Sequence, residues 1–363
     1  MKICFFAPGD SVHSLRWIDY FAQRGHEVHW VSIEAFTVKC SHPILTHVLA
    51  PVKNELHQVI RATYELRSLL GKIKPDILHV HSAGRNGVVS VLTGFHPRVI
   101  TAWGSEVLIA GKSMFLRPLV RSALSGADLI TCDAEHMRRA MVEMGVDEKK
   151  ISIIYFGTDT EKFSPKPRSG VLRSELGLVD DPTIISLRSL EPLYNVETLL
   201  TAARKVLDQV PHAFFIIVGD GSERKKLTQL ARSLGIQDRV RFTGRINNQH
   251  LPDYLCASDI YVSTSLSDAG LAASTAEAMA CGLPVVVTNS GENALWIEEN
   301  RGGYIVDVKD PNALAERLKR LLDNPGLRAK FGSFNRSIIE KRNNYRVEMS
   351  SMEKIYERMV NND

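Results

Sequence analysis

The stretch "AEAMACGLPVVVT" (276–288) reads as the end of a helix of small residues, a Gly-x-Pro break, and a strand of three valines. A helix feeding a short, wholly apolar strand is the repeating step of a parallel α/β sheet. One carboxylate, Glu277, stands in that helix. Its neighbours at three and four residues are Ala273, Ser274, Ala280 and Cys281. A solvated face would carry several charges and a packed face would carry Leu or Ile. This face leaves room for something else.

Working outward, the same step recurs. The chain opens with strand "KICFFA", turn "PGDSVH", helix "SLRWIDYFAQRG" and strand "HEVHWVS", a β-α-β unit. Further strands read at "DILHVHS" (76–82), "RVITAWG" (98–104), "ADLITCDA" (127–134) and "KISIIYFG" (150–157). The segment "TDTEKFSPKPRSG" (158–170) has the Pro, Ser and Gly of a linker. A second series follows: "TIISLRS" (183–189), "HAFFIIVGDG" (212–221), "RVRFTGR" (239–245), "SDIYVST" (258–264), "LPVVVT" (283–288) and "GGYIVD" (302–307). The expectation is two doubly wound parallel-sheet domains, 1–165 and 170–342, facing across a cleft, with a helical tail at 343–363.

The totals agree. A chain of 363 residues is long for one domain and fits two. A net charge of +4 gives no ground for a nucleic-acid partner. Five cysteines (Cys4, Cys40, Cys132, Cys256, Cys281) without a CxxC pair point to reduced thiols in the cytoplasm, not a disulfide frame or a zinc site. The N-terminal apolar run is too short for a signal peptide, and no run approaches a membrane span.

The Glu277 helix follows a loop containing Gly270, Leu271, Ala272 and Ala273. Free amides at such a helix start suit a phosphate. Glu277 lies about two turns further on, roughly 9 Å along the axis. That is near the span from a diphosphate to its ribose, whose two hydroxyls a carboxylate can accept. The plain alternative is an acid in a structural salt bridge.

Here the sequence resembles the GT-B fold retaining glycosyltransferases of family 4 (glycosyl transferases group 1), which carry "E…EAMACGLPVV". The resemblance runs through "RGHEV" (24–28), "ADLITCDAEHM…MGVDEKKISIIYFGTDTEKFSP", "VGDGSERKKL" and "RVRFTGRINNQHLPDYLCASDIYVSTS". It implies transfer of a sugar from a nucleotide-diphosphate sugar to a glycan or lipid-linked acceptor, with no metal. In the family a later Glu binds the ribose and an earlier one, with seven residues between them, contacts the sugar. Glu277 matches the later one. The earlier one is replaced by Asp268, with eight residues between.

In "SLRSLEPLYNVETLL" (186–200), Arg188 matches the family arginine that neutralises the leaving diphosphate. Tyr194 stands at the family's lysine and Asn195 at its glycine, and tyrosine brings no charge. The strand end at Gly219, and Arg245 with Ile246 after "RFTG", are expected to hold diphosphate and base. In "APGDSVHSLRW" (7–17) the resemblance places Gly9 and Asp10 near the donor and His13 near donor and acceptor. In "TAWGSEVL" (101–108), Trp103 and Glu106 replace the family's His and Asp; Trp103 can stack on a sugar, and Glu106 can bind acceptor hydroxyls or hold the loop. His79 and His81 share one side of a strand and read as satisfied strand-end histidines rather than metal ligands, there being no third ligand.

The stretch "GKSMFLRPLVRSALSG" (111–126) places Met114, Phe115, Leu119, Val120 and Ala123 on one stripe beside Lys112, Arg117 and Arg121. It reads either as a helix packed on the sheet or as a basic amphipathic surface on anionic lipid. The function expected is assembly of surface polysaccharide or glycolipid, with a cytoplasmic protein in peripheral contact with the membrane. A non-catalytic GT-B subunit and a sugar-nucleotide epimerase are the rivals. A nicotinamide dehydrogenase lacks its GxGxxG here.

Overall fold

Continuous apolar runs four to six residues long make strands that bury both faces, and parallel sheets need such strands. The computed structural model describes residues 1–52, 54–108, 113–178, 181–268 and 270–361. It divides into two units, Met1–Phe156 with Arg346–Asp363, and Gly157–Tyr345.

The first unit contains strands β1 (Lys2–Phe6), β2 (Glu27–Ser32), β3 (Leu45–Val48), β4 (Ile77–His81), β5 (Arg98–Thr101), β6 (Leu129–Cys132) and β7 (Ile151–Ile153). They form one parallel sheet in the order β3-β2-β1-β4-β5-β6-β7. The second contains β8 (Thr183–Leu187), β9 (Phe214–Val218), β10 (Val240–Gly244), β11 (Ile260–Ser263), β12 (Val285–Thr288) and β13 (Gly303–Val306). Their parallel order is β10-β9-β8-β11-β12-β13. In each sheet the strand order reverses once, between β1 and β4 and between β8 and β11. At such a point the outgoing loops part to opposite faces and leave a crevice.

β3 is absent from the sequence reading. Its residues are mostly exposed, as an edge strand's are, so no apolar run marks it. The segment 158–170 is not a free linker but opens the second unit. The Thr158 N–H donates to the Asn343 carbonyl (2.7 Å), and Tyr345 N–H to the Thr158 carbonyl (3.0 Å). Gly157 has φ +69, and a Cβ there would lie 2.4 Å from the Tyr345 Cα. Only glycine fits so close an approach.

The last helix, Tyr345–Asn361, buries Met349, Met352, Glu353 and Tyr356 in the first unit. Glu353 accepts from His26 (2.7 Å) and Arg24 (3.4 Å), and the Tyr356 hydroxyl bonds His79 Nδ1. Glu348 accepts from the Tyr155 N–H at 3.0 Å. Burial raises its pKa to about 7, against that hydrogen bond. The folded state therefore holds the Glu348 proton more tightly than the unfolded state does. Its contribution to stability falls as pH rises from about 4.5 to 7. Glu348→Gln should remove this fall. Thermal melts at pH 5 and pH 8 should show the variant's advantage over wild type growing with pH, by on the order of 1 kcal/mol after solvent screening.

Candidate functional site

The crevice between β8 and β11 holds a cavity of about 450 Å³. The ends of β8, β9 and β10 reach it through Arg188, Gly219 and Arg245, beside Tyr194 and Ile246. Ala273, Ser274 and Glu277 come from the helix Ala273–Ala280 that follows β11. That helix starts without a side-chain cap: Ala272 is the N-cap. No side chain caps the amides of its first turn, the pole that favours an anion.

Arg188 is the central side chain. It and Asp268 form an ion pair with side chains 9% and 10% exposed. Nη2 also donates to Ser265 Oγ (2.7 Å), and Nη1 to Ser274 Oγ (3.3 Å). The guanidinium carbon lies 4.3 Å from the Tyr194 ring centroid. Nε is buried and has no hydrogen-bond partner among the described residues. A buried N–H left unmet costs about 1–3 kcal/mol, so this group suits an anion that enters the cavity. Tyr194 thus supports Arg188 by stacking and supplies no second charge.

Asp268, which the resemblance sets against the sugar, is already paired on both oxygens. One carboxylate oxygen takes Arg188 and the other accepts from Ser290 Oγ at 3.3 Å. Ser265 and Ser290 went unnoticed in the sequence, because nothing in a strand-end serine marks its partner. The small-residue face divides: Ala273, Ser274 and Glu277 line the cavity, whereas Ala280 and Cys281 are buried. Packing explains the second half. The helix lies on helix Pro325–Arg342, where Gly332 comes so near Gly282 that a Cβ would sit 1.9 Å from its carbonyl oxygen.

Some expected donor residues stand elsewhere. Asn195 adopts φ 47, the left-handed form the family's glycine would take, but lines a separate cavity with Glu197, Glu223 and Lys226. Gly270, Leu271 and Ala272 are not among the residues lining the β8/β11 cavity; the Gly270 carbonyl accepts from Glu292 N–H at 3.5 Å. Gly9 does not offer its amide to a phosphate. Its N–H donates to Ser32 Oγ (2.8 Å), and its missing Cβ makes room for the carbonyls of Glu34 and Ala35, each 3.0 Å away. Asp10 is exposed beside it.

In the first unit the β1/β4 crevice gathers aromatic rings. His13 lies edge-on to Trp103 (6.1 Å) and against Phe156 (5.1 Å), and Trp103 lies 5.6 Å from His81. Burial, helped by the Arg16 charge, lowers the His13 pKa. His81 bonds Ser14 Oγ at 3.0 Å, and burial pushes its pKa down to about 3. His81 Nε2 and Trp103 Nε1 are both buried without a partner among the described residues. His81 thus joins the cluster, a role its strand position did not disclose. Glu106 holds the loops: one oxygen accepts from Ala83 N–H (3.1 Å) and Trp103 N–H (2.9 Å). His79 bonds Thr101 Oγ1 (2.6 Å) and Tyr356, inside the core. Among the described residues no group of three or more His, Cys, Asp or Glu could hold a metal ion.

The expected amphipathic stripe splits. Its Gly111 and Lys112 lie outside the described residues. Val120 and Ala123 of helix Arg117–Ser125 pack inward, while Met114 and Phe115 (80% exposed) and Leu119 (51%) face solvent. A second exposed row, Leu56, Ile60 and Tyr64, runs at four-residue spacing along helix Glu55–Ile73. Helix Arg85–Thr93 packs between the two.

Residues 171–337 match the family described as Glycosyl transferases group 1, and residues 2–134 match Glycosyl transferase 4-like. The chain is a GT-B glycosyltransferase. This glycosyltransferase is 26% identical over 355 residues to N-acetyl-alpha-D-glucosaminyl L-malate synthase of Bacillus anthracis, covering 94% of this chain and 92% of that one. It is 29% identical over 253 residues to the GDP-mannose-dependent alpha-(1-6)-phosphatidylinositol monomannoside mannosyltransferase of Mycobacterium tuberculosis, covering 65% of each. Anabaena Alr3699/HepE, solved in complex with UDP, shares the fold with a TM-score of 0.83 at 20% identity, covering 98% and 99% of the two chains. No helix among the described residues is long and apolar enough to cross a membrane.

Gly219 has φ +138, and a Cβ there would lie 2.1 Å from the Arg188 carbonyl oxygen. Gly219→Ala should cost at least about 2 kcal/mol of stability, seen as a lowered urea midpoint. An unchanged midpoint would show that the strand end can shift.

Proposed function

We propose that this glycosyltransferase moves a sugar from a nucleotide-diphosphate sugar to a glycan or lipid-linked acceptor, keeping the configuration at the anomeric carbon and needing no metal ion. The unmet, buried Nε–H of Arg188 in the β8/β11 cavity carries this reading. Arg188 and the open start of helix Ala273–Ala280 receive the diphosphate. Glu277, only about one turn into that helix where the sequence implied about two, accepts the ribose hydroxyls. Arg245 and Ile246 line the far side, where the base lies. The relatives support a nucleotide-linked donor: one is described as GDP-mannose-dependent, and a structure of the same fold was solved with UDP.

The acceptor meets His13, Trp103 and His81, and the unpartnered Nε1 of Trp103 and Nε2 of His81 suit sugar hydroxyls. The bond from anomeric carbon to diphosphate oxygen breaks, and a bond to the acceptor oxygen forms on the same face. The acceptor proton passes to the departing phosphate oxygen. Arg188 disperses the charge that develops there, the main electrostatic demand of such a step.

A lipid-linked acceptor is reached from the cytoplasmic face of a membrane. The exposed Met114, Phe115 and Leu119, beside Arg117 and Arg121, suit shallow contact with anionic lipid.

Calorimetric titration with UDP, GDP and ADP should show one nucleotide binding, with Glu277→Ala weakening it at least tenfold. NMR of the product formed from the matching sugar donor should show retention; inversion would overturn the mechanism. Trp103→Phe keeps an aromatic, though smaller, ring and loses the indole N–H. It should raise the acceptor KM several-fold and leave nucleotide affinity unchanged. In co-sedimentation with vesicles containing phosphatidylglycerol, Phe115→Ser with Leu119→Ser should lower the bound fraction several-fold. Equal binding would exclude this surface.

A further inference from the structure

The cation that awaits the diphosphate is already paired. Arg188 has five N–H donors. Nη2 serves Asp268 and Ser265, and Nη1 serves Ser274, which leaves Nε–H and one Nη1–H for a ligand. Asp268 cannot easily turn elsewhere, because Ser290 Oγ holds its second oxygen. Tyr194 occupies the place where a second cation is expected and gives no charge. A phosphoryl oxygen bound to Arg188 therefore lies within a few ångströms of the Asp268 carboxylate.

We propose that Asp268 is a resident counter-ion that restrains the diphosphate site: it orients Arg188 while offsetting part of its charge, so that nucleotide diphosphate is held loosely enough to leave. This rests on the β8/β11 cavity being the donor site, and it assigns Asp268 a role toward the diphosphate, not the sugar. Like charges a few ångströms apart in a half-solvated cavity repel by an amount that shifts affinity about five- to tenfold. The pair also fixes the guanidinium by a charge-assisted contact in a plane stacked on Tyr194.

Asp268→Asn keeps the shape and an acceptor oxygen for Arg188 but removes the charge. Calorimetry with UDP and GDP, and with UDP-glucose and GDP-mannose, should show the nucleotide that binds wild type binding the variant about five- to tenfold more tightly. Its sugar ester should tighten by the same factor. Steady-state kinetics should show a lower donor KM and stronger inhibition by the nucleotide product. Asp268→Ala should change affinity in the same direction, and thermal melts establish that both variants fold.

Weaker binding of the sugar ester alone would make Asp268 a sugar contact and overturn the proposal. Weaker binding of nucleotide and ester alike would make it a positioning residue without the counter-ion role, and unchanged binding would also overturn it. If no nucleotide binds wild type at all, the donor-site reading itself fails, which is a different result from any of these.

Discussion

The parting of the chains after β8 and β11 is the constraint on which the C-terminal unit's chemistry depends. These two strands pair side by side, yet the strands that follow each lie on opposite sides of them. The loops must therefore diverge, and the gap they leave cannot be closed by either. Arg188 leaves β8 at this gap, and Ser265 and Asp268 leave β11 there. The short helix carrying Glu277 returns across it. Arg188 is far in sequence from Ser265, Asp268 and Glu277; the pairing of Ile260 with Ile184 and Tyr261 with Ile185 brings it to them.

Having a guanidinium at the floor of that gap has a price in solvation. A buried cation without partners is strongly disfavoured. Asp268, Ser265, Ser274 and the face of Tyr194 together make its burial tolerable. The same contacts limit the directions in which Arg188 can still donate. One small group of atoms holds this end of the sheet, and Gly219 must lack a side chain for the backbone to pass it.

The first unit manages polarity differently. His79, Thr101, Thr131 and Tyr356 form a chain of hydrogen bonds within the sheet and under the final helix. Burial drives the His79 pKa well down, so these groups cohere as neutral dipoles. His81 differs by one unmet nitrogen beside Trp103, at the crevice where β1 and β4 part. Two histidines two residues apart on one strand thus have unlike surroundings, since one lies beneath the C-terminal helix and the other at the strand's open end.

The strand runs, the helix of alanines around Glu277, and Arg188 at a strand end were all legible, because burial of both faces and the β-α alternation impose local patterns. The edge strand β3 was not, having no buried face to pattern it. Nor could spacing say that Asp268 would turn to Arg188, that Glu106 would be spent on the Ala83 and Trp103 amides, or that Gly9 would make space for backbone instead of phosphate. The sequence by itself determined two parallel sheets and the place to expect a ligand. Only the tertiary structure decided which side chains remain available to it, because hydrogen bonds and ion pairs are claimed by whichever partners the loops bring within reach.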